Sequence, residues 1–488
     1  MHNMKVASYS THGDLQALSM TAPQRLQRVE GWGMAHVANC YVVQPSTVGQ
    51  VEDIFKEAKA KGQKVALRGG GQSYGDASIG QESILLDCSK LNRVLAWDGE
   101  TGIIDVEPGV TIEDLWQYVV ADGWWPPVVS GTMRPTLAGA AAMNIHGKNN
   151  YKMGPIGDHI LEFEMLTPEG KKILCSREEN PRLFHAMISS FGVLGFFTRI
   201  RLQMKKVYSG ELEVHVDIAP SLKATVDYFE EHLHNDYLVG WVDGTAKGRN
   251  RGRCVIHKAR YLEPGEDPNP HKTLTATYQD IPKMMFGVVP KSILWVGLWM
   301  LKNRPSWTAL NTSKFHFDRL HSSQPPFRQS HAAFHFLLDH VPNWKRGYRP
   351  GGLIQYQSFV PKEHSAYVFD KQLEMSQEAG LPPFLAVFKK HRPDPFLMTH
   401  ALDGHSFALD YPVTKKNRER LIRLTEEMTE LVIAHGGRFY FAKDGVLRKE
   451  DVHRAFPKES LDELYALKKE LDPEHVLQTD LSRRLFDF

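Results

Sequence analysis

Cysteine is scarce in this sequence. Its four residues, Cys40, Cys88, Cys175 and Cys254, lie far apart and form no CxxC pair, which excludes a disulfide framework or a cysteine-based zinc site and reads as four reduced, structural thiols. An excess of either charge is missing too. Fifty-nine Lys and Arg stand against 57 Asp and Glu, so no whole-molecule field marks a nucleic-acid binder, and no nucleic-acid partner is expected. The most apolar stretch, Met284 to Leu301, is interrupted by Pro290 and Lys291, leaving about ten unbroken residues where a membrane span needs roughly 20. The opening MHNMKVASYSTHGDLQALSM lacks a basic segment followed by an apolar core, so no secretory signal is read and a cytoplasmic address is expected. Repeats and low-complexity tracts are absent, and no metal site is expected.

What is present suits two sizeable domains: 488 residues, 42% of them apolar. Val48, Val51, Phe55 and Ala58 recur at helical spacing and Gly62 supplies a stop, predicting a helix over 47–62. The short apolar runs KVAL, SILLD and GIIDV follow, then a helix opening at Thr111 with a capping box to Asp114. Strands are expected at ILEFEML, KKILC and RIRLQM, with a helix at NPRLFHAMISS. The pattern is α+β, with a first domain over 1–205. From 206 to 437 longer strand-like runs such as LEVHVDI and LIQYQSFV point to a second domain, an antiparallel sheet flanked by helices. An amphipathic helix over Lys416 to His435 stops at Gly436 and Gly437; the strand RFYFAKD and a last helix capped by Ser460 and Glu463 complete a closing segment, 438–488.

Leu67 to Asp76 reads LRGGGQSYGD, three consecutive glycines after a strand. Amides unobstructed by Cβ atoms form a concave anion site, and a diphosphate needs several such donors together. A plain tight turn is the other reading. The spacing is neither GxGxxG nor GxxxxGK[ST], which removes the Rossmann and Walker fingerprints. A second segment, GTMRPTLAGAAAMNIHGKN from Gly131, lets a flat group lie against backbone, with Thr132, Thr136, Asn144 and His146 as polar contacts. A third, FGVLGFFTRI from Phe191, has Gly192 and Gly195 bracketing apolar residues.

RGGGQSYGD, PGVT, SGT and AGAAAMNIHG in this order resemble the PCMH-type FAD-binding module of the vanillyl-alcohol-oxidase superfamily. Within it HGKNN, IQYQSFVP, FLAVFK, GGRFYFAKD and DLSRRL resemble the decaprenylphosphoryl-β-D-ribose 2-oxidase family. The resemblance implies a two-subdomain FAD-binding domain to which residues 438–488 return, and a substrate-binding domain between. It implies that Leu67, Arg68, Gly69, Gly70, Gly71, Gln72, Ser73, Tyr74, Gly75, Asp76 and Ala77 cradle the FAD diphosphate, and that Gly131, Thr132, Thr136, Gly139, Met143, Asn144, Ile145 and His146 line the flavin, with Phe197 and Tyr440 completing the site. Many relatives tether the flavin through a histidine in the glycine loop. This chain has Gln72 there, so FAD is expected to be non-covalent.

By the same resemblance Lys443 is the residue for chemistry, either stabilising charge that develops on the flavin or removing the hydroxyl proton; a solvated surface lysine is the bland alternative. His146 contacts substrate or serves only as a structural hydrogen-bond partner. Gln355 and Gln357 share one face of a strand and would fix sugar hydroxyls, while Lys389, beside Lys390, would approach a phosphate. Two positions depart from the family's best-known members: Ala408 where they carry cysteine, and His335 where they carry tyrosine.

The expected reaction is oxidation of the ribose 2-hydroxyl of a polyprenyl-phosphate ribose to a keto sugar, the first step of epimerisation to arabinose in cell-wall arabinan synthesis, completed by a partner reductase. The alternatives are a soluble alditol or sugar oxidase, a sterol-reductase-like flavoprotein, and a non-catalytic flavin-binding protein. Lys247, Arg249, Arg251, Arg253, Lys258 and Arg260 occur without one acidic residue between them. They read as a solvated loop or, with the Met284–Leu301 stretch as core or as membrane-facing patch, as a peripheral contact with the inner face of a membrane.

Overall fold

Three sheets organise the chain, each patterned by the alternation its strands carry. The computed structural model describes residues 25–282, 284, 285, 289–301 and 303–488. Residues 1–24 of the expected first domain and Phe286 of the apolar stretch lie outside them. The first sheet has the order Gln27–Glu30, Val37–Val43, Ile84–Asp87, Val65–Arg68, with its last three strands parallel. The helix Val48–Ala60 crosses between Val37–Val43 and Val65–Arg68; Thr47 caps it by accepting from the Gln50 amide, and Val51, Phe55 and Ala58 are buried. A five-stranded antiparallel sheet follows, in the order Val94–Asp98, Ile103–Val106, Phe196–Gln203, Ile160–Leu166, Lys172–Ser176. The Thr111–Asp114 capping box forms as expected and starts the helix Ile112–Val119.

The third sheet is antiparallel throughout and has eight strands, ordered Phe327–Ser330, Glu211–Ala219, Cys254–Tyr261, Tyr237–Val242, Leu385–His391, Gly404–Pro412, Leu353–Pro361, Arg438–Phe439. Helices Leu222–Glu231, Lys362–Glu378 and Arg418–Ala434 pack on one face. Phe229, Phe369, Phe388 and Leu424 are buried in that layer, each large side chain contributing about 2 kcal/mol to folding. The helix Arg304–His321 covers part of the other face, with Phe315 against Val216 and Val255, and the rest of that face is open to the site. The architecture is α+β.

Residues beyond 438 fold back onto the first sheet. The Val65 amide donates to the Val476 carbonyl, and Gln478 donates to the Val65 carbonyl. Arg484 grips Asp76 through two hydrogen bonds, at 2.9 and 2.7 Å, and also reaches Asp444 at 2.9 Å.

Several boundaries differ from expectation. The strand RFYFAKD is only Arg438–Phe439, because the chain turns at Tyr440, whose carbonyl accepts from the amides of Lys443 and Asp444. The helix expected from Ser460 begins at Lys458 behind Pro457, so Ser460 lies inside it rather than at its cap; a further helix, Asp480–Leu485, is capped by Thr479. The basic run is largely neutralised: Arg251 pairs with Asp370 and Glu374, Arg253 with Asp243, Lys258 with Asp217, and Arg260 with Glu213 and Glu266. All four cysteines are buried and unbridged.

Candidate active site

One cavity of about 640 Å³ runs from the glycine loop to the open face of the eight-stranded sheet. Four chain segments build its first half. Residues 67–74 and Ala77 line it, with the backbone pressed against the turn 134–136: a Cβ on Gly69 would stand 2.1 Å from Thr136 Oγ1, and one on Gly70 would stand 2.3 Å from the Arg134 carbonyl oxygen. Gly71 has φ +61°, which glycine adopts without strain. Gly75 and Asp76 turn away. A Cβ on Gly75 would meet the Asp444 carbonyl oxygen at 1.8 Å, and the Asp76 carboxylate is taken by Arg484, so these two fasten the loop rather than face the cavity.

The second segment enters through Gly131 and Thr132 and continues into the helix Leu137–Ala142. Thr136 Oγ1 caps that helix by accepting from the Gly139 amide at 3.2 Å. Gly139, Met143, Ile145 and His146 line the cavity with Thr136. Asn144 does not: at φ +44° it points inward, and its Oδ1 accepts from the Gly157 amide at 3.0 Å. Phe197 closes one side, with Phe191, Gly192 and Gly195, and the turn after Arg438–Phe439 adds Tyr440, Ala442 and Lys443. Consecutive amides free of Cβ atoms, a small-residue helix flank of Ala138, Gly139 and Ala142, and a lysine beside them fit a diphosphate joined to a flat ring. Among the described residues no group of His, Cys, Asp and Glu is arranged to hold a metal ion.

Side chains from strands make the other half. Gln355 and Gln357 point to the same side of Leu353–Pro361, as the alternation requires. Gln357 stands opposite Ala408 and Lys389 opposite Ser406 in the strand register, and all four line the cavity. The neighbouring Lys390 faces the other way, ion-paired to Glu230 and Asp403 at 2.8 Å each, which assigns the inward position to Lys389. Gln357 Nε2 lies 3.2 Å from His146 Nε2, joining the ring-lining segment to the sheet. His335 and Ala408 are both in the wall.

The electrostatics follow from burial. Lys389 is pushed down to about 8 by desolvation, and Lys148 to about 7 by desolvation and then by Lys389. Lys443 is also depressed by burial, Asp410 opposing, while burial raises the Asp410 carboxyl against a hydrogen bond donated by Gln355. The ammonium of Lys443 sits 3.5 Å from the centroid of the Tyr74 ring. His146 is held neutral, first by burial and then by Lys389, and its Nδ1 has no partner.

Sequence reasoning therefore brought Lys443, His146, Gln355, Gln357 and Lys389 to one cavity, and missed Lys148 and Ser406 in its wall and Asp410, which accepts from Gln355. Lys148 was within the quoted motif HGKNN. Ser406 and Asp410 alternate with Ala408 on one strand face, a signal open only to a reader who already suspected that strand.

Comparison with known proteins agrees with this geometry. The FAD binding domain family model matches residues 40–176. Decaprenylphosphoryl-beta-D-ribose oxidase of Mycolicibacterium smegmatis is 27% identical over 473 residues, 95% of this chain and 98% of that protein. Shorter matches include a putative D-arabinono-1,4-lactone oxidase of Neurospora crassa, 27% identical over 34% of this chain and 30% of that protein, and mouse L-gulonolactone oxidase, 25% identical over 39% and 42%.

Proposed function

We propose that this chain, an FAD-dependent oxidoreductase of CH–OH groups with a PCMH-type FAD-binding domain, oxidises the ribose 2-hydroxyl of a polyprenyl-phosphate ribose to a keto sugar. The observation that carries the reading is the charge of the substrate half. Two buried lysines, Lys148 and Lys389, line it with Gln355 and Gln357, and among the described residues no carboxylate lines the cavity; Asp410, which accepts from Gln355, offsets the burial of Lys443 alone. Desolvated cations in that excess call for an anionic ligand, and a sugar phosphate supplies one. The cavity rim adds Phe327 and Leu337, 48% and 53% exposed, suited to a lipid tail leaving the site.

Bound FAD supplies the hydride acceptor. The protein's own part is to hold and discharge the substrate. Gln355 and Gln357 orient the sugar hydroxyls, Lys389 and Lys148 hold the phosphate, and Lys443, its amine depressed by burial, receives the hydroxyl proton at Nζ as the C–H bond breaks. Gln72 donates its amide to the Gly70 carbonyl at 2.7 Å and offers no nucleophile to the flavin, and the Cys88 thiol in the wall is pushed up to about 12 and stays protonated, both of which support an FAD held without a covalent bond. A partner reductase would return the keto sugar to the arabinose epimer.

Anaerobic mixing of the holoenzyme with lipid-linked ribose, and separately with free alditols and sugar lactones, tests the reading. Loss of the yellow absorbance with the lipid-linked sugar is expected. Loss only with the free compounds would transfer the chain to the soluble sugar oxidases, and loss with neither would make it a flavin-binding protein without this chemistry.

A further inference from the structure

Hydrophobic side chains left in solvent are unevenly spread over this surface. Among the described residues, 11 of the 19 large hydrophobic residues that are exposed fall between Met284 and Leu337. By sequence, residues 283–338 also carry seven Lys and Arg against a single acidic residue, Asp318. Apolar side chains, tryptophan and cations together, with almost no carboxylates, are the composition of a segment that settles at a lipid headgroup layer.

The helix Arg304–His321 shows how the face is presented. Asn311 and Phe315 turn inward, whereas Leu310, Phe317 and Leu320, at spacings of seven and three, share the outward side and are 41%, 61% and 71% exposed. The helix Leu294–Met300 contributes Val296, Trp299 and Met300 beside it. Phe327 and Leu337, which follow this helix in the chain, are exposed as well and line the cavity. At the start of the helix, Lys247, Asn250, Arg304 and Thr308 line an open cleft of about 820 Å³. Arg253 in its wall is committed to Asp243, but Lys247 and Arg304 give the cleft a positive mouth.

We propose that this face docks the protein on an anionic lipid bilayer, with Leu310, Phe317 and Leu320 inserted at the headgroup boundary and the Lys247–Arg304 cleft seating an acidic headgroup. Charge complementarity, seven cations against one acid over 283–338 together with the Lys247–Arg304 cleft, favours an anionic membrane over a second copy of the chain as occupant. Docking stands on the surface alone and goes beyond the substrate reading, to which it would give a route from membrane to cavity.

The test is co-sedimentation of the holoenzyme with vesicles of phosphatidylcholine alone and of phosphatidylcholine with phosphatidylglycerol, both free of sugar, so that this result and the substrate assignment stand or fall separately. Binding to the anionic vesicles that weakens as salt is raised is expected. The double variant Phe317→Ser/Leu320→Ser should bind at least about ten-fold more weakly, and Arg304→Gln about five-fold more weakly. Both should retain bound flavin and its reduction by a short-chain, water-soluble substrate. Equal affinity of the double variant and the parent, or no vesicle binding by the parent, would overturn the proposal. A parent that is dimeric in solution and split by the double variant, with no vesicle binding, would assign the face to self-association instead.

Discussion

The two halves of the cavity are made of different material. Its cofactor half is backbone: Gly69 and Gly70 lie so close to residues 134–136 that a single added carbon would collide, with the cationic side chains Arg68 and Lys443 beside them in the wall. Its substrate half is side chain: Gln355, Gln357 and Lys389 stand on strands and Lys148 on the turn before Asn150, the two lysines dehydrated and with their proton affinities lowered by burial. Shape can be held by close packing that tolerates no change, whereas charge must be held where it has something to answer. Damage should therefore show differently in each half: loss of flavin in the first, loss of turnover with flavin retained in the second.

Lys443→Ala provides the largest effect, because it stands where the halves meet. Substrate-dependent flavin reduction should fall by about a thousand-fold with FAD still bound, measured by stopped-flow absorbance. Unchanged reduction would remove Lys443 from the chemistry. Gly70→Val comes next, placing carbons against the Arg134 carbonyl; FAD affinity should drop by about a hundred-fold, read by fluorescence of released flavin. Should that variant bind FAD normally, the loop would be a turn and no cradle.

Gln357→Ala should raise KM about ten-fold and leave flavin content alone. A gentler probe is pH. Lys148, lowered to about 7, and Lys389, lowered to about 8, are protonated below those values and lose their charge above them, so affinity for an anionic substrate should be full below about pH 7 and fall as pH rises through 7 and then 8. Lys389→Met should flatten the upper part of that limb of the KM profile. The smallest effect is expected next door: Lys390→Ala removes a pairing with partly exposed carboxylates, costing about 1 kcal/mol or less of stability in thermal unfolding without touching KM.

How much of this was readable in advance follows the same division. The cofactor half is local in sequence, and the residues its motifs name line the cavity with three exceptions. Gly75, Asp76 and Asn144 sit inside the motifs but serve the backbone around the cavity, and the partner that claims Asp76, Arg484, is 408 residues away. The PCMH-type assignment and the α+β class hold. The substrate half is assembled by register across strands, so Asp410 comes beside Gln355 only once Leu353–Pro361 and Gly404–Pro412 are paired. No local pattern reports that pairing, and Ser406 and Asp410 went unseen. Lys443 was found, but on a turn rather than the strand expected for it, because alternation in RFYFA imitates a strand and does not register the Tyr440 carbonyl folding the chain back.

Arg484 gives this arrangement a timetable. Its guanidinium holds both the loop bearing Asp76 and the turn bearing Asp444, one residue past Lys443. A growing chain that has already made Asp76 must add 408 more residues before that grip arrives. The glycine loop and the turn that carries Lys443 are therefore fastened to each other only after residue 484 has been made.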